Sequence, residues 1–115
     1  LWALGRAVEF HQMIGQDRIE ARINYLASVL RANMVTNIPN IKVLTEQAEG
    51  FNSGIFVGLI PNTDAPRAAR TIYDQHRISG AIGGREDVLR VRLCPHIYNS
   101  VEQMGQIADY IKASI

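Results

Sequence analysis

The sequence predicts an α/β fold of the α+β kind, a two-layer sandwich with helices on one face of a small sheet. The sheet should hold about four strands in mostly antiparallel or mixed pairing. Three observations lead there. Four segments carry apolar residues at three- and four-residue spacing, the period of a helix face. Shorter segments between them alternate from one side to the other, the period of a strand. No repeat, low-complexity tract or long linker interrupts residues 1–115, so one domain accounts for the chain. The expected order is α-α-β-β-α-β-β-α.

Leu1, Leu4, Val8 and Met13 stand among good helix formers and predict a helix over residues 2–14. Gly15 should stop or kink it, because glycine costs about 1 kcal/mol inside a helix. Asp17 followed three positions on by Glu20 has the form of a capping box. Ile19, Ile23, Leu26 and Leu30 then form the apolar stripe of a second helix. The stretch Asn37 to Asn40 should end that helix, since Pro39 disfavours helical geometry in Ile38.

Ile41 to Leu44 reads as a short strand, and Gly54 to Ile60 as a stronger, central one. In the second, Ile55, Val57 and Leu59 face one way and Phe56, Gly58 and Ile60 the other, a run apolar enough to be covered on much of both faces. Asp64 with Pro66 marks a helix start, and Ala69, Ile72, Tyr73 and His76 carry that helix over about 65–77.

Two strands should close the sheet. Ile78 to Ile82 is read as one, ended by Gly83 and Gly84. Val88 to Leu93 is the other, with Leu89, Val91 and Leu93 alternating with Arg90 and Arg92. Ser100 and Gln103 form a second capping box. Val101, Met104, Ile107, Ala108, Ile111 and Ile115 then make the stripe of a last helix.

Twelve basic side chains against eleven acidic ones give no electrostatic footprint for nucleic acid or an anionic membrane. The apolar runs fall far short of the roughly 20 residues needed to span a bilayer. One cysteine, Cys94, excludes an intrachain disulfide, cannot form a zinc site alone, and suits a reducing cytoplasm. It reads as a partly buried structural thiol. His11 and His76 lie on helices without partners at metal spacing and are given no role. Because the helical pattern is already running at Leu1, the chain reads as a cropped piece.

Two arginines on one strand face are costly to bury without anions, so Arg90 and Arg92 meet either solvent or a negatively charged group. Alternation alone favours solvated or ion-paired structural arginines and goes no further.

The segment Leu89-Arg90-Val91-Arg92-Leu93-Cys94-Pro95-His96-Ile97-Tyr98-Asn99-Ser100 resembles the C-terminal signature of class V aminotransferase-type, pyridoxal-phosphate-dependent enzymes. In that signature an arginine lies six residues before a Tyr-Asn pair, with serine two positions after the arginine and often Pro-His next. Arg92, Pro95, His96, Tyr98 and Asn99 match it, and Cys94 stands where the family usually has serine. The helix at Ala7 to Met13, the Gly15 to Arg22 segment, the Ile38-Pro39 turn and the Gly54-Ile55 strand are similar in order and spacing. The Pro95-His96 pair and His76-Arg77-Ile78 look closest to the isopenicillin N epimerase-like branch. The family's desulfurases carry a reactive cysteine on the loop before this strand, and Gly80 to Asp87 has none.

The resemblance implies that residues 1–115 are the C-terminal small domain of a fold-type I enzyme. It implies that Arg92 binds the α-carboxylate of an amino-acid substrate and that His96 contacts substrate near the mouth of the site. Pyridoxal phosphate (PLP) would sit in a missing large domain, N-terminal in sequence, and the parent would be a homodimeric transaminase, epimerase or lyase. The chain's two lysines, Lys42 and Lys112, fall in no segment like the family's lysine-bearing loop, so the chain alone is expected to be inactive. Apart from the resemblance, a free-standing sandwich module remains open, with Arg90, Arg92 and His96 forming an anion pocket for a small ligand or a protein partner.

Overall fold

A computed structural model describes residues 1–45 and 53–115. The elements run α1 (Trp2–Ile14), α2 (Gln16–Asn37), β1 (Lys42–Val43), β2 (Phe56–Pro61), α3 (Ala65–His76), β3 (Ala81–Arg85), β4 (Val88–Leu93) and α4 (Val101–Ser114). This is the expected order. The four strands lie β1-β2-β4-β3, every pair is antiparallel, and β2 and β4 are central.

Register sorts the sheet into two unlike faces. Phe56 pairs with Leu93, Gly58 with Val91 and Ile60 with Leu89, so the buried side chains of β2 and β4 share one face. That inner face joins Leu26, Leu30 and Met34 of α2, Ala68 and Ile72 of α3, and Met104, Ala108 and Ile111 of α4 in one core. The opposite face carries Lys42, Val57, Leu59, Ala81, Gly83, Arg85, Arg90 and Arg92 by the same alternation. Val57 and Leu59 are only half-buried, so β2 is fully covered on one side.

Local chemistry sets the helix boundaries. Asp64 caps α3, its Oδ1 accepting the Arg67 N–H at 3.1 Å, and Arg77 ends it in the left-handed region at φ 54°. The Ser100 hydroxyl accepts the Gln103 N–H at 3.2 Å, and the Gln103 side chain accepts the Ser100 N–H at 3.0 Å, completing the capping box of α4. In the same turn the Glu102 carboxyl is held below its ordinary range by its own backbone N–H and then by the Ser100 hydroxyl.

Three local expectations are corrected. Asp17 does not cap α2. The Ile19 N–H already bonds the Gly15 carbonyl at 3.1 Å, so Gly15 is the N-cap, two residues earlier, and Asp17 lies in the first turn, where a negative charge suits the helix dipole. Gly83 and Gly84 do not end β3 but lie inside it, because the strand is shifted to Ala81–Arg85. At Gly84 a Cβ would collide with the Val88 carbonyl, so this glycine permits close approach within the β3–β4 hairpin rather than ending a strand. Cys94 is exposed, because it continues the alternation that turns Arg90 and Arg92 outward.

α1 stands apart from the core. It has no buried residue, and Trp2, Leu4 and Met13 are 77%, 66% and 83% exposed. The radius of gyration is 15.5 Å, against about 13 Å for a compact chain of this length, and the longest dimension is 45 Å. The joint is Gly15 at φ 98°, a conformation in which L-residues are strained.

Candidate functional site

The residues singled out by sequence fall in two places at one end of β4. Arg92 lies on the strand, between Val57 of β2 and Ala81 of β3, on the face opposite the core. Its neighbours Val91 and Leu93 are buried, which anchors the backbone while the guanidinium stays exposed. Among the described residues the Arg92 guanidinium makes no hydrogen bond or ion pair, and neither does that of Arg90. The ion pairs among the described residues, Arg6–Glu9 and Arg67–Asp64, are elsewhere. A planar fork of donors left unpaired on a sheet face can take a carboxylate in bidentate fashion.

His96 belongs to the corner between β4 and α4. The Asn99 side-chain oxygen accepts the His96 N–H at 2.8 Å, and the His96 carbonyl accepts the Asn99 N–H at 2.9 Å. The Ile97 N–H donates to His96 Nδ1 at 2.9 Å, so the neutral ring carries its proton on Nε2. The ring stacks on Tyr98 with centroids 4.8 Å apart and 15° between planes, and meets His11 edge-on at 6.1 Å. Arg22 ties the corner to α2 by donating to the Asn99 carbonyl at 3.3 Å. No hydrogen bond or ring contact joins His96 to Arg92 among the described residues.

Periodicity and motif reading did not reach His11 or Arg22. Their places beside the corner depend on how α1 and α2 fold back on it, and nothing in their own segments signals that contact. His76 is likewise placed by packing, its ring stacked on Tyr110 at 4.3 Å. Among the described residues no three His, Cys, Asp or Glu side chains converge as a metal-ligand set. No described helix is long and apolar enough to cross a membrane.

Fold and site together define an α+β sandwich whose open sheet face presents unpaired arginines beside a tightly hydrogen-bonded corner. Over 112 residues the chain is 24% identical to the isopenicillin N epimerase of Streptomyces clavuligerus, and over 111 residues 23% identical to that of Amycolatopsis lactamdurans. Each comparison takes in 96% of this chain, which spans only 28% of the length of either relative. No family model matches the chain.

Proposed function

We propose that this chain is the substrate-carboxylate-binding, C-terminal small domain of a larger pyridoxal-phosphate-dependent enzyme of the class V aminotransferase type, nearest the epimerase-like branch. The observation that carries the reading is Arg92. It occupies the arginine of the Arg-to-Tyr-Asn signature, and its guanidinium is exposed on the open sheet face and unpaired among the described residues. Similarity to two isopenicillin N epimerases along 96% of the chain supports the same branch.

The cofactor itself does not fit this chain's residues. Lys42 on the edge strand and Lys112 in the last turn of α4 are both exposed, and among the described residues neither side chain makes a hydrogen bond or ion pair. In this reading the cofactor sits in a large domain N-terminal to these residues.

What the chain contributes is orientation. The Arg92 fork binds both oxygens of the α-carboxylate, which fixes the bonds around Cα and so selects which of them reacts. Lysine, a point charge on a flexible stem, cannot hold that plane. His96, with Nδ1 occupied by the Ile97 N–H, offers Nε2–H to a polar atom of the substrate at the mouth of the site.

Steady-state kinetics of the longer protein test the assignment. Arg92→Lys should raise KM for the amino acid by about tenfold or more, in line with loss of a bidentate charge-assisted contact. An unchanged KM removes Arg92 from the substrate site.

A further inference from the structure

Arg92 is not the only unpaired cation on the open face. Arg90 lies two residues before it on β4, and both are exposed on the same side of the strand. Two residues of extended chain separate their Cα atoms by about 6.6 Å. Lys42, across Leu59 from Arg90, and Arg85, across from Val88, extend the positive surface. The described strand positions of this face include no carboxylate. Arg90 and Arg92 thus face one another's charge with no counterion among the described strand positions of this face.

The surface is also shaped. An open groove of about 480 Å³ lies along β3, lined by Gly80 to Arg85 and by Arg90. Ala81, the pairing partner of Arg92, lies in its wall. Gly83 is the partner of Arg90, and a Cβ built there meets nothing within 4 Å, so the space beside Arg90 is empty where most residues would fill it.

The geometry points to a second anion subsite at Arg90, which makes the preferred ligand a dicarboxylic amino acid. This rests on the reading of Arg92 above. Arg92 takes the α-carboxylate, and the side chain runs along the groove past Gly83 so that its terminal carboxylate meets Arg90. Two guanidiniums of like charge are relieved together by one ligand with two carboxylates, whereas a monocarboxylate relieves one.

L-glutamate and L-glutamine separate these cases, being alike in shape and differing in the distal charge. Titrated into the isotope-labelled 115-residue chain at fixed pH and ionic strength, both should shift the Arg92 side-chain N–H resonance. Glutamate alone should shift Arg90, with a Kd about fivefold below that of glutamine, as expected for one added exposed charge-assisted contact. R90Q should bring the two Kd values together without changing that of glutamine, and R92Q should weaken both. Gly83→Leu keeps every charge but fills the groove, and it should remove the glutamate advantage as well. Equal affinities in the unmodified chain, or an advantage that survives R90Q, overturn the second subsite while leaving Arg92 in place. Inorganic phosphate binding more tightly than glutamate overturns it too. Absence of any Arg92 shift with either amino acid overturns both this inference and the reading beneath it.

Discussion

Two helices of nearly equal length show what amphipathic sequence does and does not decide. α1 has 13 residues and α4 has 14, and both carry large apolar side chains at helical spacing. α4 buries Met104, Ala108 and Ile111 in the core and is capped by a reciprocal Ser100–Gln103 pair. α1 buries nothing, has no side-chain cap, and holds one exposed Arg6–Glu9 pair at 3.0 Å. A fully buried Ile or Met contributes about 1.5–3 kcal/mol. An exposed ion pair contributes at most about 1 kcal/mol. A helix of this length is marginal without packing. An apolar stripe therefore states a demand for a partner, and only the sheet and its neighbouring helices meet that demand for α4.

The sharpest way to break the comparison is Ile111→Ala, expected to lower unfolding free energy by about 2–5 kcal/mol in a chemical denaturation experiment. Ser100→Ala should cost about 1 kcal/mol. It should also let the Glu102 carboxyl rise toward its ordinary range, which a side-chain NMR titration reads directly. Because that shift is downward in the folded chain, the stability linked to it is present above the ordinary carboxylate pKa and is lost as pH falls through the lowered value. The Ser100→Ala deficit should accordingly narrow in acid. Leu4→Ser on α1 should change stability by less than about 0.5 kcal/mol. A loss there approaching that of Ile111→Ala would show that α1 is buried in solution and would end the contrast.

The eight elements and their order were legible because each carries its own period, from the stripe of α4 to the alternation around Arg90 and Arg92. Boundaries failed where one residue type serves two purposes. Gly83 and Gly84 look like strand terminators, yet the hairpin needs Gly84 for close backbone approach, and the turn is made at Glu86, with φ 53°. Asp17 looks like a cap, yet the carbonyl of Gly15 starts the helix first. Cys94 reads as a partly buried structural thiol, yet simple alternation places it outward with Arg92. For the site, periodicity supplied a shared face for the two arginines and the motif singled out Arg92. The missing partners, the groove along β3 and the empty space at Gly83 depend on pairing between strands distant in sequence, which no local pattern encodes.

The joint at Gly15 gives α1 the mechanics of a lever. Thirteen residues at about 1.5 Å each make an arm of about 20 Å. A turn of about 10° at the pivot therefore sweeps the Leu1 end through about 3.5 Å, nearly the width of a methyl group. A Cβ at Gly15 would approach nothing closer than 3.9 Å, so the positive φ, not want of space, is what calls for glycine at this pivot. The direction in which α1 leaves α2 thus passes through the dihedrals of one residue that has no side chain, with the His11–His96 ring contact at the near end of the arm.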